Sequence, residues 1–128
     1  MAAPKRLAFL VFPRLTLLDL IGAYDALRRV ASMSIDSKVT HRIIGTDAER
    51  RLPRGQAGGH PSSDGGPARP HCREVVTNRR VVDEGRVVTA GGVSSSLDLG
   101  LYLVEKYWGA DARVRIAHQM KYRGYSPA

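Results

Sequence analysis

The side chains best suited to chemistry follow a pair of glycines, in the run Gly91-Gly92-Val93-Ser94-Ser95-Ser96. A glycine turn that ends a strand and opens a helix presents backbone amides at the positive end of that helix. Such amides can hold an anion or the oxyanion that develops during acyl transfer. We therefore expect Gly91, Gly92 and Ser95 to bind a substrate and Ser94 to be a catalytic hydroxyl.

Two other interpretations of this run stay open. Ser95 and Asp98 have the spacing of a capping box, in which case the glycines only permit the turn. The other alternative is a serine esterase, with Ser94 or Ser95 as the nucleophile and His41 or His118 as its base. The run differs from the Gly-x-Ser-x-Gly motif of many such enzymes, because a serine stands at its fifth position.

Asp19 is the second candidate for chemistry. It follows Thr16 by three residues, which is the spacing of a capping box, and Leu15 with Leu20 would form a hydrophobic staple. A carboxylate in the first turn of a helix is also placed to hold or accept a proton near a ligand. The two roles are compatible, and we predict Asp19 to be a catalytic acid or base.

Cys72 is the only cysteine, so it is the only candidate for a thiol nucleophile. His71 and Arg73 beside it would favour the thiolate, but a nucleophile turn needs small neighbours, which this stretch lacks. We expect an incidental thiol, with a catalytic one as the alternative. The sequence has four histidines, His41, His60, His71 and His118. Their spacing is not that of metal ligands, so we expect no metal and no cofactor.

The composition favours one soluble domain. The chain has 128 residues, of which 43% are hydrophobic and 25% charged, enough for one hydrophobic core. No apolar run approaches the ~20 residues of a membrane span, so we expect no membrane partner. The single cysteine and the lack of a signal-peptide core predict a cytoplasmic protein. The net charge of +8 is not gathered into a helical stripe with aromatics, so we expect a solvated basic surface, with a basic nucleic-acid-binding module as a third and weaker alternative.

The hydrophobic pattern predicts three blocks. Residues 1–47 contain a strand at 7–12, predicted to be buried on both faces, a helix at 16–31 and a strand at 38–44, which together form a βαβ unit. Residues 48–73 contain five glycines, four prolines, five arginines and one large aliphatic residue, which predicts an irregular linker. Residues 74–128 should form a β-hairpin that turns at 83–85 and helices at 95–108 and 111–121, the second capped by Asp111.

Two stretches resemble a known family. Leu7-Ala8-Phe9-Leu10-Val11-Phe12-Pro13 with Leu17-Leu18-Asp19-Leu20-Ile21-Gly22-Ala23-Tyr24 resembles the opening of the ThiJ/PfpI family, especially its isonitrile-hydratase-like branch. Residues 81–101 resemble that family's closing hairpin, glycine turn and helix. The family belongs to the class I glutamine amidotransferase-like superfamily. The resemblance implies a flavodoxin-like parallel α/β sandwich, a catalytic cysteine at a sharp strand-to-helix turn, and the family's acidic role for Asp19.

The family's central strands and helices, which carry that cysteine, have no counterpart, because residues 48–73 occupy their interval. We therefore expect a single truncated α/β domain. Its short parallel sheet would contain the first two strands and the strand that leads into Gly91, flanked by helices 16–31 and 95–108. Missing central strands expose apolar edges and faces, so we expect a homodimer that completes the sheet.

The functional expectation follows from the resemblance. We expect a truncated hydrolase or hydratase that acts on a small-molecule substrate with a carbon–nitrogen or ester-type bond. The alternative is a non-catalytic remnant of the family that folds and self-associates, and the missing cysteine turn is the argument for it.

Overall fold

The computed structural model describes residues 2–45 and 79–125, and the statements below concern those two ranges. They contain a mixed α/β arrangement, which confirms the predicted class. In chain order the elements are β1 (Arg6–Val11), α1 (Leu17–Ser32), β2 (Thr40–Gly45), β3 (Val81–Asp83), β4 (Val88–Ala90), α2 (Ser95–Trp108) and α3 (Ala110–Gln119). The linker 48–73 lies outside the described residues, as do His60, His71, Cys72 and residues 74–78.

The N-terminal block forms the predicted βαβ unit. β1 and β2 pair in parallel with Arg6 opposite Thr40 and Val11 opposite Gly45, and α1 is the crossover between them. Phe9 packs edge-on against Tyr24 of α1, with ring centroids 5.0 Å apart. The helix therefore covers the face of the sheet that carries Leu7 and Phe9.

The prediction that β1 is buried on both faces is wrong. Leu7 and Phe9 pack against the core, whereas Leu10 on the opposite face is 38% exposed. A continuous apolar strand is buried on both faces only if helices lie on both faces of its sheet. Among the described helices only α1 makes substantial contact with this sheet, so its second face stays uncovered.

The strand that leads into Gly91 does not join the parallel sheet, and that prediction is also wrong. β4 pairs only with β3, antiparallel, with Val81 opposite Ala90, and the two sheets are separate in the described ranges. The hairpin is held by α2 instead. The carboxylate of Asp83 accepts hydrogen bonds from Tyr102 Oη at 2.8 Å and from Lys106 Nζ at 2.7 Å.

The core lies where the three helices meet. Its buried side chains are small or aliphatic: Ala26, Leu27, Val30, Val39, Leu101, Val104, Ala112, Ile116 and Ala117. α1 and α2 approach closely because small residues face each other at their crossing. A Cβ added to Gly100 would lie 2.8 Å from Ala26 Cβ and 2.9 Å from Ala23 Cα. A Cβ on Gly22 would overlap Ser96 Oγ.

The predicted capping boxes do not form. Thr16 is the residue before α1, but its side chain makes no capping hydrogen bond. At α2 that position belongs to Ser94, also without a capping bond, while Ser95 already lies inside the helix. α3 starts at Ala110 after Gly109, whose φ of 92° is suited to glycine, so Asp111 is not its cap. None of the described helices has the length and hydropathy needed to cross a membrane.

Gly100→Ala should lower the free energy of unfolding by about 1–2 kcal/mol, because overpacking against α1 outweighs the gain of about 1 kcal/mol in helix propensity. Gly45→Ala is the matched control, since a Cβ there meets nothing within 4 Å. It should stay within about 0.5 kcal/mol of the parent. Urea denaturation measures both. A Gly100→Ala protein more stable than the parent would show that the helices are not in contact at this point.

Candidate functional site

The predicted site residues gather where the first turns of α1 and α2 touch. Ser96 Oγ donates a hydrogen bond to the backbone oxygen of Leu18, with the two atoms 2.7 Å apart. Leu18 precedes Asp19, and Ser96 follows the glycine turn. β1 leads into α1 and β4 leads into α2, so the site lies at the carboxyl ends of both strands. This is the end of a strand where α/β proteins generally bind ligands.

Asp19 is exposed at this junction. Its backbone amide donates to Thr16 O at 3.0 Å, and its carboxylate makes no hydrogen bond or ion pair within residues 2–45 and 79–125. Asp19 precedes Gly22 by three residues, so both lie on the side of α1 that approaches α2. The carboxylate is therefore available to a ligand. No direct contact links it to Ser94 in those ranges.

The glycine turn offers three amides to a ligand, but they are shifted from the predicted ones. The Gly91 amide donates to Arg80 O at 3.0 Å, and the Ser95 amide donates to Gly92 O at 3.1 Å. The amides of Gly92, Val93 and Ser94 make no hydrogen bond within the described ranges, and these residues are exposed. Gly92 has a φ of 113°, a conformation that only glycine adopts without strain.

Arg80 contacts both predicted serines. Its Nη2 donates to Ser94 Oγ at 3.2 Å and its Nε donates to Ser95 Oγ at 3.3 Å. Ser95 is buried and its hydroxyl also donates to Gly91 O at 3.4 Å, whereas Ser94 is exposed. Ser94 is thus the accessible hydroxyl, and the guanidinium can stabilise negative charge on its oxygen but cannot take its proton.

The two histidines of the esterase alternative lie elsewhere. His41 Nε2 is 3.3 Å from Tyr24 Oη, beside the sheet. His118 is in the last turn of α3 and lines a shallow groove with Met33 and Val114. Neither histidine contacts Ser94 or Ser95 in the described parts of the chain. Those parts also contain no group of three or more His, Cys, Asp or Glu residues that could hold a metal ion.

Asp98 is the site residue that sequence reasoning treated only as a cap. It is fully buried, and its Oδ2 lies 2.8 Å from Arg80 Nε. Tyr122 Oη donates to Asp98 Oδ1 at 3.2 Å. Burial, the negative charge of Asp98 and this hydrogen bond raise the pKa of Tyr122, so it remains a donor. The sequence did contain a signal for its burial, because Asp98 precedes Leu101 by three residues and so lies on the apolar face of the helix.

The ion pair fixes the shape of the turn. Arg80 immediately precedes β3, and its side chain reaches Asp98 and both serines, which ties the start of the hairpin to the first turn of α2. A buried carboxylate keeps its charge only if a cation and hydrogen-bond donors compensate it. The result is a pre-formed turn with three exposed amides and a hydroxyl polarised by a guanidinium, and it packs against the first turn of α1, which contains Asp19. Such an arrangement can stabilise an oxyanion and transfer a proton.

Arg80→Ala should lower the free energy of unfolding by about 2–3 kcal/mol, because it leaves the buried charge of Asp98 without its cation. This loss is smaller than for a fully buried pair, since the Arg80 side chain is 38% exposed. Adding Asp98→Asn to this variant should recover part of the loss, since no buried charge remains. The control is Arg86→Ala on the exposed hairpin turn, with a change below about 0.5 kcal/mol. Equal losses in Arg80→Ala and Arg86→Ala, measured by urea denaturation, would contradict a buried ion pair.

Comparison with known proteins adds no relative to this description. No protein-family model matches the chain, and no curated protein matches it. The ThiJ/PfpI resemblance of residues 7–24 and 81–101 therefore rests on those residues, and any function inferred from it is a proposal.

Proposed function

We propose that the chain is a truncated, flavodoxin-like hydrolase or hydratase of the ThiJ/PfpI type, acting on a small carbon–nitrogen or ester-type substrate. The observation that carries the proposal is the 2.7 Å hydrogen bond from Ser96 Oγ to Leu18 O. It holds the turn of Asp19 against the turn that presents the amides of residues 92–94. The first turn of α1 and the glycine turn before α2 thus lie at the same end of the two packed helices.

In the proposed reaction, Ser94 Oγ attacks the electrophilic carbon of the substrate. The hydroxyl proton passes through a water to the carboxylate of Asp19. With an ester or amide, the tetrahedral intermediate expels the alcohol or amine, which takes that proton, and water then releases the acid from Ser94 by the same two steps. With an isonitrile, the attacked carbon takes the proton, and water then releases the formamide and restores the Ser94 hydroxyl. Negative charge that develops on the carbonyl oxygen of an ester or amide is stabilised by the amides of Gly92 and Val93 and by the two converging helix N-termini. Arg80 keeps Ser94 in position through its 3.2 Å hydrogen bond.

The surroundings favour a substrate with an apolar substituent. Large hydrophobic side chains are exposed on the connection between β1 and α1, on the first turns of α1 and on the glycine turn; they are Phe12, Leu17, Leu18, Ile21 and Val93. A small acyl or isonitrile compound with an alkyl or aryl group would cover part of this surface. The single cysteine of the sequence supports a reducing, cytoplasmic location for the activity.

The proposal is tested with p-nitrophenyl esters, chromogenic anilides and an aryl isonitrile, assayed on the parent protein. Asp19→Ala and Ser94→Ala should each lower kcat/KM by about 100-fold or more, the usual effect of removing a proton-transfer group or a nucleophile. The matched controls are Asp111→Ala, which removes the first-turn acid of α3, and Ser37→Ala, which removes an exposed serine. Both should stay within about twofold of the parent.

Cys72→Ala separates the two nucleophile hypotheses. If Ser94 is the nucleophile, this variant keeps the activity of the parent, and alkylation of the thiol leaves the activity of the parent unchanged. Loss of turnover in Cys72→Ala alone would move the nucleophile to the thiol. A parent protein that turns over none of the three substrate classes would refute the enzyme proposal in favour of a non-catalytic protein.

The second function, a self-associating protein without turnover, requires self-association, and the parallel sheet supports that part of it. β1 pairs with β2 along one edge, and no other strand pairs with its second edge in residues 2–45 and 79–125. An open edge of a short parallel sheet is a template for pairing with another chain. Antiparallel pairing of two β1 strands would give a four-stranded sheet around a two-fold axis. Homodimerisation is compatible with either function.

Ala8→Pro should convert the dimer to a monomer. The Lys5 carbonyl accepts from the Thr40 amide at 3.0 Å, so backbone groups of odd-numbered residues of β1 face β2 and those of Ala8 face the open edge. Proline there removes only an edge donor. Sedimentation equilibrium should give twice 14.0 kDa for the parent and 14.0 kDa for the variant. A parent that sediments as a monomer at all concentrations would refute the dimer.

A further inference from the structure

The face of the β1–β2 sheet opposite α1 is uncovered within residues 2–45 and 79–125, and it has a mixed apolar and cationic character. We call it the outer sheet face; its residues are Arg6, Ala8, Leu10, Thr40, Arg42 and Ile44. Leu10 and Ile44 are opposite each other in the register and are 38% and 46% exposed. Five of the six face residues line one depression of about 300 Å³ together with Leu7. The face is therefore concave and partly apolar.

The parallel pairing requires that something cover this face. Parallel sheets occur almost only with both faces covered, because crossover helices pack on them. α1 covers the inner face, and α2 and α3 pack onto α1 and each other rather than onto the sheet. Residues 48–73 contain one large aliphatic residue and five arginines, so their composition does not provide an amphipathic segment that complements a cationic face.

The dimensions fit a helix better than a second sheet. Six residues per strand give a length of about 20 Å, and two strands give a width of about 10 Å. An α-helix is about 10–12 Å wide, and about 13 residues span 20 Å. The resulting footprint is about 200 Å², which one short helix fills. It is far below the ~800 Å² per partner of a standard interface, so the docked helix binds transiently.

The charges indicate which helix fits. Arg6 lies at one end of the face, Arg42 lies in the middle opposite Ala8, and Leu10 and Ile44 lie at the other end. The whole chain carries +8, so a second copy brings no compensating charge and an acidic partner is attracted. The exposed leucine and isoleucine favour an apolar stripe over a nucleic-acid backbone.

We propose that the outer sheet face docks an acidic amphipathic helix of about 13 residues, supplied by a partner protein. Its apolar residues, spaced three and four apart, lie on Ala8, Leu10 and Ile44, and its carboxylates pair with Arg6 and Arg42. This interaction is independent of the catalytic proposal, because the face lies across the sheet from α1 and the glycine turn.

The test uses the full chain and fluorescein-labelled synthetic helices of about 14 residues with leucines spaced three and four apart. One peptide carries glutamates on its polar side and the other carries lysines at the same positions. Fluorescence anisotropy should show binding of the glutamate peptide at least about tenfold tighter than that of the lysine peptide, with an affinity that falls as salt is raised. This comparison leaves the protein unchanged, so it does not depend on a variant folding.

Two protein variants locate the binding site. Arg6→Glu with Arg42→Glu should lower the affinity for the glutamate peptide by about tenfold or more and raise the affinity for the lysine peptide. Arg86→Glu with Arg115→Glu makes the same change of charge on other exposed surfaces and should leave the affinity within about twofold. Circular dichroism confirms that each variant is folded. Equal effects of the two double variants would show that net charge alone attracts the peptide and would overturn the proposal.

Three further results would overturn it. Displacement of the glutamate peptide by oligo-dT, with tighter binding of the DNA, would assign the face to nucleic acid. A parent dimer that dissociates in Leu10→Ser with Ile44→Ser, without binding of either peptide, would assign the face to a second copy of the chain. If the variant with Leu10→Ser and Ile44→Ser still binds the glutamate peptide, the peptide binds elsewhere on the protein.

Discussion

The close approach of α1 and α2 is the contact on which the other features depend. Gly22 and Gly100 leave room for the opposite helix, with added Cβ atoms at either position meeting backbone or side-chain atoms of the partner. Because the parallel sheet and the hairpin share no strand pairing in the described ranges, this helix pair is what relates them. It also determines the site, since the hydrogen bond from Ser96 to Leu18 forms only where the helices touch.

A second constraint operates at the glycine turn. The charge of Asp98 is removed from water, and the contacts from Arg80 and Tyr122 compensate it. The same guanidinium reaches Ser94 and Ser95, so a group required for stability also orients the exposed hydroxyl. Stability and chemistry are coupled at this point, and a change in Arg80 alters both the hairpin attachment and the environment of Ser94.

Local patterns in the sequence predicted the helices and strands well because they reflect local physics. The three-four spacing from Leu17 to Leu27 and the stop at Gly109 correspond to α1 and the end of α2. The place of β4 was not predictable, because strand pairing depends on partners distant in the chain, which local patterns do not specify. Asp98 was misread for a related reason: Ser95-x-x-Asp98 fits a cap locally, whereas Arg80, the partner that decides its role, comes from the hairpin.

The separation of the two sheets bears on how the described part of the chain transmits a structural change. β1 with β2 and β3 with β4 are each complete as pairs, and the interface between α1 and α2 joins them without any strand crossing from one sheet to the other. Within the described ranges, the helix interface is therefore the one route by which a change near one sheet reaches the other. A substitution that separates α1 from α2 would shift the two strand pairs relative to each other as units, while the register inside each pair stayed the same.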